Sequence, residues 1–308
     1  MDFSEYKFRA SLSSKLVVGT IGVTPEQETE IKLLENERDT GINANGNKIK
    51  WTPTKKDKLE KLIYNKENPS LPKTMETELR KIFRSMKYNR KFLFTNKYTK
   101  KGISQEEESF TTYQEWLKEV KDIKTFLKNN KDQLADDFFT GETDSHKDFH
   151  NLFGYGFDIK TSWSLETFPF KEDDLDKDYE WQNLVYMHLT GIKKWKTVHV
   201  LVNATESALH NEKMKYFYAY DMDKSDRNEE KYNEVCQDLE KLHIVDYNKF
   251  VFYYPGHDLV TSKDEWFGND LDIPLKDRVV EKTVLYDESK INFLKERVVI
   301  ARKYLSNL

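Results

Sequence analysis

Between Gly154 and Ala204 the hydrophobic period of the chain changes twice. In "GFDIKTSW" apolar and charged residues alternate, so in a strand Phe157 and Ile159 share one face while Asp158 and Lys160 share the other. "YEWQNLVYMHLTG" then takes helical spacing and stops at Gly191, and "WKTVHVLVNA" returns to alternation through Val198, Val200 and Val202. Strand patterns interleaved with helical ones place the chain in the α/β class. The expected architecture is a central mixed sheet carrying Asp144, Asp158 and Lys160, flanked by helices, with helical additions at both ends.

The 308 residues suffice to bury a substantial core. We expect one domain over 1–308: a mostly helical region 1–85, a core 86–205 and a C-terminal α/β extension 206–308. In the first region "TPEQETEIKLLENERD" offers Thr24 as N-cap and Pro25 as first-turn proline, and "GINANGNKIKW" reads as a loop. One helix is expected over residues 102–130, with Trp116, Val120, Ile123 and Leu127 at helical spacing. "ESKINFLKERVVIARKYLSNL" closes the chain as an amphipathic helix.

A single cysteine, Cys236, excludes an internal disulfide framework and any cysteine-based zinc cluster, and fits a reducing compartment. The first residues lack the basic-then-apolar layout of a signal peptide, and no run approaches eighteen apolar residues. We therefore expect no membrane partner and a cytoplasmic protein. The net charge of −4 advertises no polyanionic partner, so the distribution of charge matters more than its sum. From Leu79 to Gln105 there is no acidic residue, while Arg80, Lys81, Arg84, Lys87, Arg90, Lys91, Lys97, Lys100 and Lys101 are all basic. Such a run is either a solvated face or a phosphate-binding surface.

The string "DIKT" occurs twice, at Asp122–Thr125 and at Asp158–Thr161. Placed in a helix, Asp122 and Lys124 diverge by about 200° and cannot face one ion. In a strand, Asp158 and Lys160 point the same way. Around the second copy stand Gly141-x-x-Asp144, Gln182-x-x-x-Tyr186 and an upstream Gly102-x-x-x-Glu106. Metal-assisted phosphodiester hydrolysis needs carboxylates converging on a hard cation and a positive group for the developing charge. Asp144, Asp158 and the Ile159 carbonyl can hold Mg²⁺ or Mn²⁺, with Glu106 completing the shell; Glu107 and Glu108 stand beside it as alternatives. Lys160 can meet the charge of the transition state, and Gln182 with Tyr186, one helical turn apart, can reach over the strand toward it. His146 and His150 have metal-compatible spacing but no third ligand, and read as loop or core residues. Trp163 and Trp181 read as core more readily than as base-stacking platforms.

Taken together, "TGETD", "DIKTSW" and "QNLVYM" resemble the PD-(D/E)XK nuclease superfamily, in the branch of lambda exonuclease, YqaJ-like viral recombinases and RecB-type nuclease domains. Its Q-x-x-x-Y helix is matched by Gln182 and Tyr186, and its G-x-x-x-E helix by Gly102 and Glu106. "FRAS" is similar to the segment that seats a DNA 5′-phosphate in lambda-type enzymes, which marks Ser11 and, by its charge, Arg9. Thr143 stands where the motif has its proline, and Arg9 where the lambda-type segment has threonine. The motifs cover residues 80–205.

The resemblance implies a restriction-endonuclease-like fold and a Mg²⁺- or Mn²⁺-dependent deoxyribonuclease, an exonuclease on linear DNA in phage-type recombination or replication. Its alternatives are an endonuclease on the same fold and a non-catalytic DNA-binding or interaction protein. The expected catalytic residues are Asp144, Asp158, Lys160, Glu106, Gln182 and Tyr186, and the expected DNA contacts Arg9, Ser11, Arg90, Lys91, Lys97, Lys100 and Lys101. DNA is the implied partner; a single-strand annealing protein or another replication or recombination protein, and a homo-oligomer, are admitted. The implied location is the cytoplasm of a bacterial host.

Overall fold

The computed structural model describes residues 1–308 except 44, 93–95, 128–129, 131 and 223–228. The chain gathers into two compact units, one of Met1–Phe8, Leu12–Phe92 and Asn292–Leu308, the other of Arg9–Ser11 and Leu93–Ile291.

The first unit is helical: α1 (Ser13–Val17), α2 (Pro25–Thr40), α3 (Pro53–Glu67) and α4 (Lys73–Lys87), joined by the end of the C-terminal helix. Thr24 accepts from the Gln27 amide while the Gln27 side chain accepts from the Thr24 amide, so two otherwise orphaned donors are satisfied where α2 begins. Gly41, at φ 69°, stops it in the left-handed conformation that glycine adopts without strain. Ile31 and Leu34 of α2 pack on Leu59 and Leu62 of α3. In the C-terminal segment Leu294, Val298, Ala301 and Leu305 recur at alternating spacings of four and three and are fully buried. Arg297 donates to the Gly19 carbonyl (2.9 Å) and Arg302 to that of Tyr6 (3.0 Å), closing the helix ends onto the N-terminal segment.

Every strand of the two sheets found among the described residues belongs to the second unit, apart from Phe8 at the start of β1. One has the order β1-β3-β2, from β1 (Phe8–Arg9), β2 (Gln133–Ala135) and β3 (Phe139–Glu142), with β2 and β3 antiparallel. The other has the order β4-β5-β6, from β4 (Gly156–Thr161), β5 (Lys194–Val200) and β6 (Val279–Leu285); β4 runs parallel to β5 and β6 antiparallel. Helices α5 (Lys97–Ser104), α6 (Glu106–Lys121), α7 (Lys147–Phe153) and α8 (Lys177–Thr190) surround these strands. Phe157, Val198 and Val200 bury their side chains with Phe110, Tyr113, Trp116 and Leu117 of α6, and Ile159 packs against them. On the opposite face Thr197 bonds Asn183 of α8 (2.6 Å), and Tyr186 of α8 lies against Trp195. The β4–β5 ribbon is thus covered on both sides, and the alternation read in its sequence is an alternation between two helices.

Helices α9 (Glu206–Tyr220), α10 (Glu229–His243), α11 (Tyr247–Tyr253) and α12 (Lys263–Gly268) form a further layer around Leu209, Leu239, Ile244, Tyr247, Phe250 and Trp266. There Glu240, fully buried, is balanced by Lys213 at 2.7 Å and by the amides of Val260 and Thr261. Helix α13 (Glu288–Ser306) ends the chain.

The α/β class holds. Two local expectations do not. The helix expected over 102–130 is two helices that break at Gln105, whose side chain donates to the Asn203 carbonyl (3.0 Å), and α6 ends at Lys121. Asp122 then takes the left-handed conformation (φ 53°), so the first DIKT lies past the helix end. Asp144, expected within a strand, follows the end of β3.

Candidate active site

Strand β4 presents Asp158 and Lys160 toward α8, and Lys160 Nζ lies 2.5 Å from Asp158 Oδ2. Burial alone would lower the Lys160 pKa; the Asp158 carboxylate outweighs it and holds the ammonium above its ordinary value. Asp144 reaches the same strand, accepting the Ile159 amide at Oδ2 (2.6 Å).

The segment that delivers Asp144 is pinned by side chains. Thr143, in the position of the motif's proline, is buried; its Oγ1 donates to the Ser145 carbonyl and accepts from Asn130 (both 3.1 Å). Ser145 Oγ accepts the Phe157 amide (2.9 Å) and pairs with His150 Nε2 (2.7 Å). These bonds tie the segment to β4 and α7, the role a rigid proline would otherwise fill.

Burial pushes the Asp144 carboxyl up to about 7, and the negative charges of Asp158 and Glu106 add to it against Lys160 and the Ile159 amide. Glu106, the first residue of α6, is therefore within electrostatic reach of Asp144. Of its neighbours, Glu108 pairs with Lys249 (3.4 Å), while Glu107 lines both an adjoining cleft and, together with Glu106, a cavity of about 650 Å³. Ile103 and Phe126 are exposed on the walls of that cavity.

Two mutually repelling carboxylates, Asp158 buried and Asp144 half-buried, with only oxygen donors suit a hard divalent cation of the Mg²⁺ type, which needs one or two carboxylates and keeps its remaining positions for water and phosphate. Among the described residues, no three His, Cys, Asp or Glu side chains form a ready cluster. His150 is buried, bonded to Ser145 and pushed down to about 4 by burial, while His146 caps α7 by accepting the Asp148 amide.

From α8, Gln182 Oε1 accepts from Lys160 Nζ (3.4 Å) and Gln182 Nε2 donates to Tyr186 Oη (2.7 Å). Burial, with Asp158 adding, holds the Tyr186 hydroxyl far above its ordinary pKa, so it stays protonated. The ring fits only because residue 141 is glycine: a Cβ there would stand 2.9 Å from Tyr186 Cε1 and 3.3 Å from Ala10 Cβ. Arg9 and Ser11 flank the buried Ala10 and are exposed, and the Arg9 charge reaches Tyr186.

The expected DNA contacts are dispersed. Arg90 and Lys91 belong to the first unit and are exposed; Lys97, Lys100 and Lys101 belong to the second. Lys97 lies over the Trp163 ring (4.7 Å) and pairs with Glu212 (3.4 Å); Lys100 is exposed. Lys101 must be corrected. It is buried, donates to the carbonyls of Trp163 (2.9 Å) and Val202 (3.0 Å), and is pushed down to about 7 by burial. It holds α5 in place and presents no charge to solvent.

One neighbour of Lys160 went unread in the sequence. Tyr179 of α8 places its ring 4.9 Å from Lys160 Nζ, and His199 of β5 lies beside that ring. Its position three residues before Gln182 and seven before Tyr186 is the signal that would have found it.

No protein-family model matches the chain, and no curated protein matches it in sequence. Among described residues no helix is long and apolar enough to cross a membrane. Solved structures do match. An alkaline exonuclease from Laribacter hongkongensis aligns over 99% of this chain and 90% of its own at 9% identity and a TM-score of 0.46. A phage-related exonuclease from Haemophilus somnus 129PT aligns over 98% of this chain and 95% of its own, at 18% identity and a TM-score of 0.56. The chain is thus similar in fold, from end to end, to a phage-related exonuclease, which is the fold its motifs led us to expect.

Proposed function

We propose that the protein is a divalent-metal-dependent deoxyribonuclease, an exonuclease that degrades linear DNA in phage-type recombination or replication. The observation that carries this reading is the pairing of Asp144 and Asp158 beside the Lys160 ammonium, with Gln182 and Tyr186 closing over it. Asp144, Asp158, the Ile159 carbonyl and Glu106 would hold Mg²⁺ or Mn²⁺. When bound, such an ion supplies charge neutralisation at the phosphate and lowers the pKa of water.

The protein's own groups carry the rest. Lys160 keeps its proton and offers N–H donors to the oxygens on which charge builds as the phosphate becomes pentacovalent. Gln182 aims that ammonium, and Tyr186, itself fixed against Gly141 and Trp195, aims Gln182. Arg9, exposed at the end of β1, and Ser11, exposed in the short 3-10 turn that follows it, would receive a strand-end phosphate. Arg90, Lys91, Lys97 and Lys100 are the proposed contacts to the DNA backbone. A single-strand annealing protein or another replication or recombination protein, and further copies of the chain, are partners in the same reading, and the bacterial cytoplasm is its setting.

Digestion of end-labelled linear duplex, 5′-phosphorylated or not, beside closed circular duplex in Mg²⁺ tests this. Metal-dependent release of nucleotides from linear DNA alone is expected. Cutting of closed circles would make the protein an endonuclease, binding without cleavage would make it an interaction module, and activity surviving EDTA would exclude the metal.

A further inference from the structure

The Lys160 ammonium is approached from three directions: by Asp158 Oδ2 at 2.5 Å, by Gln182 Oε1 at 3.4 Å, and by the face of the Tyr179 ring, whose centroid lies 4.9 Å away. An ammonium has three N–H donors. Gln182 accepts from one of them, and the ion pair with Asp158 takes up at most a second. A ring face attracts the cation through its quadrupole and engages none, so one donor stays available.

We propose that Tyr179 is a positioning residue for Lys160, holding the ammonium by its ring so that the third donor points to the reacting phosphate; this rests on the nuclease reading of the site. A carboxylate or amide at 179 would take that donor, and an aliphatic side chain would leave the ammonium free to swing away. Tyr179, Gln182 and Tyr186 lie at i, i+3 and i+7 on α8, one continuous face over β4. The Tyr179 ring also makes an edge contact with His199, the register partner of Lys160 on β5, with centroids 5.9 Å apart at 62°. Burial, assisted by the charges of Lys160 and Lys282, pushes His199 down to about 4. At neutral pH it is an uncharged neighbour of the ring and does not repel the lysine.

The test combines steady-state cleavage of linear duplex in Mg²⁺ with NMR of ¹³C-labelled lysine, in the parent, Tyr179→Phe and Tyr179→Leu; Lys160→Arg assigns the Lys160 resonance. Tyr179→Leu should lower kcat about tenfold with KM within about twofold, and Tyr179→Phe, which keeps the ring, should stay within about twofold of the parent. The Lys160 Hε resonance should be shifted upfield by the ring current in the parent and Tyr179→Phe, and return toward the other lysines in Tyr179→Leu. Parental kcat in Tyr179→Leu, equal loss in Tyr179→Phe, or an unmoved Lys160 resonance would each overturn the proposal. If the parent cleaves nothing, the nuclease reading falls, and the ring-current shift alone then judges whether Tyr179 positions Lys160.

Discussion

Lys160 and Lys124 share the same four-letter context and differ only in their surroundings. Lys160→Ala is expected to lower cleavage by orders of magnitude with little change in DNA affinity, because its contact strengthens only as charge develops on the phosphate. Lys124→Ala should cleave like the parent. End-point digestion and filter binding distinguish the two. Asp144 offers a test that needs no substrate. An unfolded aspartate keeps its ordinary value of 3.8, whereas the folded carboxyl titrates at about 7. The native state therefore binds the extra proton between these values, and stability of the EDTA-treated protein should fall as pH rises through that window, the deficit being complete above it. Asp144→Asn should then melt higher than the parent at pH 8 in EDTA, the gap closing toward pH 4, and Mg²⁺ should narrow it by stabilising the parent alone. Equal melting curves at pH 8 would disprove the strained carboxylate. At this scale sequence showed the types and spacing of the site residues, since alternation fixes which residues share a face. It did not show Lys101: nothing local marks a lysine whose ammonium is taken up by carbonyls of residues 62 and 101 positions away.

Elements were legible where their ends carry local chemistry. The start of α2 lies in a Thr–Gln capping box and the end of α8 in Gly191, both readable as letters. The break at Gln105 was hidden because its cause is the Asn203 carbonyl, a tertiary partner. The α5 correction has a direct test. Lys101→Met should lower the melting temperature, because two buried carbonyls lose their donor, yet leave the salt dependence of DNA binding unchanged. Lys100→Glu should do the reverse, flattening the salt slope without a stability change. Two glycines separate fold from chemistry. A Cβ on Gly156 would enter the Trp195 ring at 2.1 Å, so Gly156→Ala should fold poorly or lose on the order of 3 kcal/mol in chemical denaturation. Gly141→Ala meets the edge of Tyr186 at 2.9 Å and, less closely, the Ala10 methyl at 3.3 Å. It should fold, and lose about tenfold in kcat as Tyr186 and Gln182 are pushed off Lys160.

At the scale of the molecule, the two units divide the chain unevenly: the second is nearly continuous, while the first is assembled from both ends of the sequence. No periodicity signals that division, because the helices of the first unit and α13 look alike as amphipathic patterns. Removing Asn292–Leu308 should therefore expose the core of the first unit, detectable as faster proteolysis within α1–α4, since the cut takes away four fully buried apolar side chains and the donors to Gly19 and Tyr6. During translation this arrangement imposes an order. Domains fold as they leave the ribosome, N-terminal segments first. Here the helices made earliest wait for residues made some two hundred positions later, while the stretch carrying Asp144, Asp158, Lys160 and Tyr186 emerges in the interval. On a nascent chain stalled before Asn292, β4, β5 and α8 should already resist protease while α1–α4 are still cut, so that the carboxylates are in place before the chain that carries them has closed.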